Sequence, residues 1–230
     1  MSLNDKFILS LKKKSKYFEE NPNIAVGVSG GPDSIALVHL LKKWINLKNG
    51  NLTALVFNHG IRSNSEHESF QVKSMLKKYK IETIILKPKK NNKIKKNMAN
   101  ARNNRFEGMI NFCKKKNILH LFLGHHFDDN LETFLIRKIN GSNLDGLSAM
   151  NKIVYFNETQ VVRPLINNTK IEILNFNKKN NYKFITDPSN TDMNYTRVKV
   201  RKFLQNKNYN REVRLDFLSI KKQIPSYKKM

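Results

Sequence analysis

The chain has 230 residues and carries 43 Lys and Arg against 18 Asp and Glu, a formal net charge of +25. With 39% hydrophobic and 10% aromatic residues it holds enough apolar material to bury a core, which argues against a disordered basic tail. One cysteine, Cys113, excludes a disulfide framework, a cysteine-rich zinc site and a Cys-x-x-Cys redox pair. We find no run of about 18 apolar residues and no secretion signal, so we expect a cytoplasmic protein that does not enter a membrane.

The excess positive charge is partly compositional, because Lys and Asn are abundant throughout, as a strongly AT-biased genome would produce. What remains is clustered in the basic runs 12–16, 87–96 and 114–116 and in a tail after Arg201 that has few acids. Any single cluster is ordinarily a solvated face. Together they favour a polyanionic partner such as RNA or DNA, or an anionic surface.

Apolar runs alternate with helical patterns over the first half of the chain. The patterns predict strands at 24–28, 52–57, 81–86 and 119–123 and helices at 35–45, 66–79 and 97–116. Continuous apolar strands between amphipathic helices imply a mostly parallel sheet covered on both faces, which is a doubly wound α/β fold. Beyond residue 150 we predict a short strand at 160–163 and a helix at 169–180. We expect one domain over 1–200 and a basic helical appendage over 201–230.

Polar residues follow three of these strands, in the segments SGGPDS, NHGIR and GHHFDD. Ligands of open α/β sheets bind at the carboxyl ends of the strands, so we expect the site there. In Ser29–Ser34, two glycines allow the backbone to approach an anion, and the next helix offers N–H groups to phosphate oxygens. This is not a Walker A loop, and Asp33 would repel a phosphate unless a cation such as Mg²⁺ lies between them. A plain glycine turn in which Asp33 or Ser34 caps the helix has similar weight.

The segment GHHFDDNLE places His125, Asp129 and Glu132 at i, i+4 and i+7 if it is helical. Two carboxylates in so basic a chain suit an ammonium ligand. Asp129 and Glu132 also fit the N-cap and N3 positions of a capping box, which the spacing alone favours. A metal site built from His125 and His126 is disfavoured, because adjacent residues point apart.

The loop Ser29–Ser34 resembles the Ser-Gly-Gly-x-Asp-Ser signature of the N-type ATP pyrophosphatases, the PP-loop superfamily, which cleave ATP to AMP and pyrophosphate. Later segments resemble the successive blocks of the tRNA(Ile)-lysidine synthases, collinear from about Asn23 to Arg201. These blocks are NHGIRSNSEHE (58–68), MANARNNRF (98–106), LGHHFDDNLETFLIRKINGSNLDGLSAM (123–150), VVRPLI (161–166) and TDPSNTDMNYTRVKVR (186–201). The most discriminating parts are GSNLDGLSAM, RPLI and DPSNTD with its trailing arginines.

The resemblance implies an adenine nucleotide alpha hydrolase-like, Rossmann-like fold and a PP-loop catalytic domain over 1–200. It also implies a ligase that attaches L-lysine to C2 of the wobble cytidine in the isoleucine tRNA with a CAU anticodon. In that reaction the cytidine O2 attacks the α-phosphate of ATP, and the lysine ε-amine then displaces AMP to give lysidine. Mg²⁺ is expected with ATP. The sequence leaves the oligomeric state open, a homodimer included.

By the same resemblance the site residues divide among these tasks. ATP binding is assigned to Ser29, Gly30, Gly31, Pro32, Asp33, Ser34, Asn58 and His59, with Asp33 as the Mg²⁺ ligand. The catalytic residues are Asp33, Arg102, His125, Asp129 and Glu132, of which Asp129 and Glu132 hold the lysine. RNA contacts are assigned to Arg105, Arg137, Arg163, Arg197 and Arg201. Asn58 replaces the commoner acid of its block, which weakens a metal role there but keeps an amide for the adenosine ring.

Three other functions stay open. A tRNA thiolase of the same superfamily generally uses paired cysteines, and the lone Cys113 speaks against it. NAD and GMP synthetases act on small molecules and fit the charge poorly. A noncatalytic RNA-binding protein would release no pyrophosphate, although the presence of both Asp33 and Glu132 speaks for catalysis. Lysidine synthases usually continue into C-terminal domains, whereas about thirty residues follow Arg201 here, so a minimal form and a shortened chain both fit.

Overall fold

The computed structural model describes residues 1–12, 18–58, 65–88, 98–186 and 192–227, without the side chains of 98–101 and 225–227. Within these ranges helices and strands alternate as far as residue 139, and the order is less regular after it. In chain order they are α1 (Leu3–Lys12), β1 (Asn23–Val28), α2 (Pro32–Asn46), β2 (Asn51–Phe57), α3 (Ser65–Lys77), β3 (Glu82–Leu86), α4 (Met98–Lys115), β4 (His120–Phe122), α5 (Phe127–Ile139), α6 (Leu144–Leu147), β5 (Ile153–Phe156), β6 (Thr159–Val162), α7 (Lys170–Lys179), α8 (Thr196–Phe203) and α9 (Lys207–Tyr227).

The six strands form one sheet in the order β3-β2-β1-β4-β6-β5. The pairs from β3 to β6 are parallel, and only the edge strand β5 runs antiparallel to its neighbour β6. The predicted doubly wound, mostly parallel sheet is therefore confirmed. Strand order reverses between β1 and β4, so the chain leaves these two neighbours toward opposite sides and opens a crevice at their carboxyl ends.

Each face of the sheet carries its own core, because successive side chains of a strand point to opposite faces. In β1, Ile24, Val26 and Val28 join the cluster formed with α1, α2, α3 and α7. Ala25, between them, joins the cluster on the other face, which α4 covers with Met109 and its neighbours. This alternation explains why the strands read as continuous apolar runs.

The predicted elements agree with the observed ones to within a few residues, and the exceptions have local causes. Helix α2 begins before the predicted Ile35 because Gly31 is its N-cap and Pro32 its first residue, where the missing proline N–H costs nothing. Helix α1, which buries Leu3, Phe7 and Leu11, was not predicted from the sequence. Strand β5, whose side chains are half-buried or exposed, was not predicted either.

A third apolar cluster joins α5 to α8 and α9. Phe217 of α9 is 1% exposed, and its ring centroid lies 5.2 Å from that of Phe134 and 6.1 Å from that of Phe127. The predicted boundary between 200 and 201 falls inside α8, and α9 follows that helix. Throughout the described ranges, no helix is both long enough and apolar enough to cross a membrane.

Candidate functional site

The glycine-rich turn between β1 and α2 is shaped by close packing. Gly30 has φ +85, and a Cβ there would lie 2.7 Å from Cγ2 of Val72, so both the backbone and the space require glycine. Its carbonyl accepts a hydrogen bond from the Ile185 N–H at 2.9 Å. Gly31 is the N-cap of α2, and no side chain caps the helix. The alternative in which Asp33 or Ser34 caps α2 is therefore wrong, and the helix presents its first N–H groups to the crevice.

Asp33, in the first turn of α2, is paired with a residue that the sequence analysis missed. Lys170 Nζ donates to both of its carboxylate oxygens, at 2.6 and 2.7 Å. Lys170 is the first residue of α7, behind a capping box formed by Thr169 and Glu172. A cation at this end of a helix is opposed by the helix dipole. A lysine at the first position of a helix, directly after the Thr of a Thr-x-x-Glu capping box, is the feature of the sequence that could have indicated a functional role for Lys170.

His126 lies beside Asp33, surrounded by three carboxylates. Its Nε2 is 3.6 Å from Asp33 Oδ1 and 3.5 Å from Asp129 Oδ2, and its Nδ1 is 3.5 Å from Asp128 Oδ2. Burial alone lowers the pKa of His126, but these carboxylates raise it above the ordinary value overall. His126 and Asp129 form the capping box of α5, so the predicted box of Asp129 with Glu132 is wrong by one turn.

A cavity of about 330 Å³ opens at the carboxyl ends of β1 and β4. Its lining comes from the glycine-rich turn, α3, α4 and the start of α5. The members are Gly27, Val28, Ser29, Asp33, Ser34, Val56, Phe57, Ser65, Glu68, Ser69, Val72, Arg105, Met109, Leu123, Gly124, His125 and Asp129. Gly124 allows the segment after β4 to approach the start of α2 closely, because a Cβ there would lie 3.1 Å from the carbonyl carbon and oxygen of Asp33. The α3 residues of this wall, Glu68 among them, were not predicted.

A larger hollow of about 440 Å³ lies at the opposite edge of the sheet, beside Asn23, Gly50 and Asn51. Those residues stand at the amino ends of β1 and β2. Since open α/β sheets bind their ligands at the carboxyl ends of the strands, we assign the functional site to the smaller cavity.

His125 lies in the cavity wall among cations. Its Nδ1 accepts a hydrogen bond from Arg163 Nε at 3.3 Å, so Nε2 carries the proton of the neutral ring. Burial, followed by the charges of Arg163, Arg102 and Arg105 and opposed by Asp129, lowers the pKa of His125 to about 3. His125 is therefore a neutral N–H donor at physiological pH and a poor base.

The guanidinium groups near His125 form a cationic rim, defined here as Arg102, Arg105 and Arg163. The pKa values of Arg105 and Arg163 are lowered, first by burial and then by the charge of Arg102. Like charges held this close favour an anionic ligand. Arg105 lines the cavity itself.

Glu132 and Asp129 occupy different surroundings although they lie on the same helix. Glu132 is 3% exposed, and its oxygens accept hydrogen bonds from Arg197 Nε at 2.6 Å and Arg201 Nε at 2.7 Å. Asp129 lines the cavity, where its Oδ1 accepts from Arg197 Nη2 at 3.3 Å. The lining of the cavity does not include Glu132. The expected lysine cradle is thus represented in the cavity by Asp129 alone.

The other predicted site residues lie outside the cavity or outside the described residues. Arg137 donates to the carbonyls of Gly146 and Ala149, at 2.6 and 3.1 Å, and so holds the segment after α5. Asn58 is buried at the end of β2, where its N–H donates to the Leu86 carbonyl at 2.8 Å. His59, residues 187–191 and most of the basic runs 12–16 and 87–96 lie outside the described residues.

A family model described as the PP-loop domain matches residues 3–208. The chain belongs to the PP-loop family. Among curated proteins, the tRNA(Ile)-lysidine synthase of Orientia tsutsugamushi (strain Boryong) is 39% identical over 188 residues, which are 82% of this chain and 42% of that protein. The tRNA(Ile)-lysidine synthase of Wolbachia pipientis wMel is 40% identical over 188 residues, 80% of this chain and 43% of that protein. The predicted resemblance is confirmed, and the chain spans less than half the length of these relatives.

Solved structures support the PP-loop fold. The U34-tRNA thiolase NcsA from Methanococcus maripaludis, described with its 4Fe-4S cluster, aligns with a TM-score of 0.75 at 20% identity, over 97% of this chain and 80% of that one. The NAD+ synthetase from Burkholderia pseudomallei aligns with a TM-score of 0.58 at 11% identity, over 98% of this chain and 91% of that one. At these identities the likeness extends to the fold alone.

Proposed function

We propose that this chain ligates L-lysine to C2 of the wobble cytidine of the isoleucine tRNA with a CAU anticodon, using ATP and releasing AMP and pyrophosphate. The observation that carries the proposal is that one cavity joins the PP-loop turn, the ionised Asp129 and Arg105 of the cationic rim. Such a cavity suits a polyphosphate, an ammonium and an RNA at once. Similarity to two lysidine synthases over about four fifths of the chain supports the same reaction.

The PP-loop turn suits the β- and γ-phosphates of ATP. The uncapped start of α2 offers N–H donors and the positive end of a helix dipole to phosphate oxygens. Ser34 braces the turn, because its hydroxyl donates to the Gly31 carbonyl at 2.9 Å and accepts from the Ser29 N–H at 3.2 Å. The turn is thus preorganised by its own side chains.

Asp33 suits a Mg²⁺ ion that is shared with the nucleotide. Among the described residues no cluster of three or more His, Cys, Asp or Glu side chains is arranged to hold a metal. Mg²⁺ bound with ATP commonly takes one or two carboxylates and completes its shell with phosphate oxygens and water. The Asp33 side chain is 27% exposed and stands at the start of α2, so it fits that role. Bound there, Mg²⁺ would offset the charge of the phosphates.

In the first step the cytidine O2 forms a bond to the α-phosphorus, and pyrophosphate leaves with the electron pair of the broken P–O bond. Arg105, inside the cavity, and its neighbours Arg102 and Arg163 supply positive charge where the reacting phosphate gains negative charge. His125 presents an N–H donor beside them. These groups act by electrostatic stabilisation and need no proton transfer of their own.

In the second step the lysine ammonium gives up a proton to solvent and its amine nitrogen bonds to C2, while the C2–O2 bond breaks and AMP leaves with the electron pair. Burial by itself raises the pKa of Asp129, but the charges of His126 and Arg197 bring it below the ordinary value. Asp129 is therefore an anion at physiological pH, which suits it to bind an ammonium group rather than to act as a base. Glu132 contributes by holding Arg197 against α5.

RNA contacts fall on the arginines at the cavity. Arg102, Arg105 and Arg163 form the rim, whereas Arg197 and Arg201 are bound to Glu132. Phosphate neutralisation by exposed lysines is additive and needs no particular fold, so the net charge of +25 supports a polyanionic substrate.

A thiolase reaction of the kind named for NcsA is less well supported. Its structure is described with a 4Fe-4S cluster, and such clusters are held mainly by cysteine thiolates. This chain has one cysteine, Cys113, which is buried, and burial raises its pKa to about 12. An inert thiol on the buried face of α4 is unsuited to ligate iron or carry sulfur.

The test is incubation of the protein with ATP, Mg²⁺, labelled lysine and an isoleucine tRNA transcript carrying CAU, with a methionine tRNA transcript as control. We expect label on the isoleucine tRNA only, together with pyrophosphate release. ATP cleavage without lysine transfer would overturn the substrate assignment. An absence of cleavage would favour a noncatalytic RNA-binding protein.

A further inference from the structure

Lys170 is paired with Asp33, the carboxylate that a divalent cation would need as a ligand. Its Nζ lies 2.6 and 2.7 Å from the two oxygens of Asp33, in charge-assisted contact with both. His126 Nε2, at 3.6 Å from Asp33 Oδ1, is too distant to replace it. In the described residues, then, a tethered ammonium stands where the proposed Mg²⁺ would bind.

The backbone of Lys170 is fixed, whereas its side chain is partly exposed and contacts a carboxylate that lines the cavity. The Lys170 N–H donates to Asp128 Oδ2 at 2.7 Å, and Asn177 Nδ2 ties α7 to α2 through the Pro32 carbonyl at 2.8 Å. The Lys170 side chain is 35% exposed, and its four-carbon stem is flexible. The ammonium is therefore able to move by a few ångströms while α7 stays in place.

An ion pair this exposed contributes little to folding, and the dipole of α7 opposes a cation at its first residue. The same charge is favourable beside a phosphate chain, which would lie along the open start of α2. The pair is thus weak enough to exchange and is held next to the place where a new anion would arrive.

We propose that Lys170 is a place-holding cation that neutralises Asp33 before nucleotide binds and then passes to the β- or γ-phosphate when ATP arrives with its divalent ion. Asp33 is released to the metal by the same movement. When the bond between the α-phosphorus and the bridging oxygen breaks, pyrophosphate takes the electron pair, and the Lys170 ammonium stabilises its charge. The inference rests on the ATP-binding part of the proposed function and not on lysine or tRNA.

The test uses Lys170→Met in the full chain, with Lys138→Met as the matched control, since Lys138 is paired with Asp216 away from the cavity. Removal of the competing ammonium should tighten the binding of Mn²⁺ alone, measured by electron paramagnetic resonance, by about two- to fivefold. Calorimetry in Mg²⁺ should show ATP and pyrophosphate binding weakened by about 10- to 100-fold, because a charge-assisted contact to phosphate is lost. AMP affinity should stay unchanged, and Lys170→Arg should recover part of the pyrophosphate affinity.

Opposite shifts for the metal and the polyphosphates are the signature of exchange. The proposal is overturned if Lys170→Met leaves Mn²⁺ binding unchanged or weaker, if neither protein binds Mn²⁺, or if ATP and pyrophosphate bind as before. An equal loss of AMP affinity would indicate a structural role for Lys170 and would also overturn it. Because the probes include neither lysine nor tRNA, a failure of the lysidine reaction leaves this result readable.

Discussion

Asp33, in the first turn of α2, and Glu132, in the second turn of α5, are both carboxylates near the same cavity, yet their surroundings differ. Asp33 is paired with one lysine, and its side chain is 27% exposed. Glu132 is 3% exposed and is paired with two arginines, Arg197 and Arg201. The first pair is open to exchange with a ligand, whereas the second is closed beneath α8.

Exposure and the number of partners explain the difference. A buried carboxylate keeps its charge only while cations and hydrogen bonds replace the water it has lost, so its partners have to stay. A partly exposed carboxylate regains water when its partner leaves, and exchange costs little. Glu132 is therefore suited to position α8 against α5, and Asp33 is suited to bind a cation that exchanges with another ligand.

The largest expected effect is on folding, from Glu132→Gln. Loss of the buried charge removes the carboxylate partner of Arg201 and one of the two carboxylates that bind Arg197, and we expect the free energy of unfolding to fall by about 3–5 kcal/mol. Urea denaturation followed by circular dichroism measures it. Asp216→Asn is the control, because the pair of Asp216 with Lys138 is partly exposed and should contribute at most about 1 kcal/mol. Equal stability of the two variants would contradict the comparison.

For Asp33→Asn we expect a large loss of activity and only a small loss of stability. Pyrophosphate release from ATP should fall by about 10²- to 10³-fold, as for the loss of one strong electrostatic contact in the transition state. The free energy of unfolding should change by no more than about 1 kcal/mol, because the lost ion pair is partly exposed. An enzyme-coupled pyrophosphate assay and urea denaturation measure the two quantities. Parent-like release, or a stability loss as large as that of Glu132→Gln, would show that Asp33 is not the open partner.

A smaller effect is expected at the cationic rim. Arg105→Gln should lower kcat/KM for the isoleucine tRNA by about tenfold, because a charge-assisted contact to phosphate inside the cavity is lost. Arg211→Gln, an exposed position on α9, serves as the control and should change kcat/KM much less. The measurement is lysine incorporation at limiting tRNA, repeated at several salt concentrations. An equal fall in kcat/KM in both variants would mean that the reaction depends on the net charge of the protein and not on the position of Arg105 in the cavity.

The smallest effect concerns pH. The raised pKa of His126 means that the folded state binds its proton more tightly than the unfolded chain does. Its contribution to stability is complete below the ordinary histidine value of 6.5 and is lost as the pH rises through the raised pKa. The difference in unfolding free energy between the parent and His126→Asn should thus shrink from pH 6 to pH 8. A difference that grows over this interval would contradict the assignment.

Much of the fold follows from local patterns. Strands β1 and β2 are buried on both faces and so appear as uninterrupted apolar runs, and the glycine-rich turn follows β1 directly. Strand β5 escaped prediction because its side chains are half exposed and its identity depends on antiparallel pairing with β6. The domain boundary at 200, the homodimer and the cytoplasmic location stay predictions.

The candidate site divides in the same way. The turn 29–34 was predicted as a unit, because its function depends on neighbouring residues. Lys170 was missed because it lies 137 positions from Asp33, and nothing near it in the chain marks it as part of a site except the unfavourable place of a cation at a helix start. The cradle of Asp129 and Glu132 was predicted from helical spacing, which cannot distinguish a side chain in a cavity from one under another helix.

The sequence by itself determined the order of strands and helices, the glycine-rich turn and membership of the PP-loop family, because each of these depends on residues close together in the chain or on collinear blocks. Only the tertiary structure decided that Asp33 holds a lysine, that His126 lies among three carboxylates and that Glu132 is closed beneath α8. The physical reason is that burial and ion pairing depend on segments far apart in the chain, since Glu132 meets Arg197 across 65 residues. The periodicity of apolar residues along the chain does not predict whether a charged side chain will be solvated or paired with another charge.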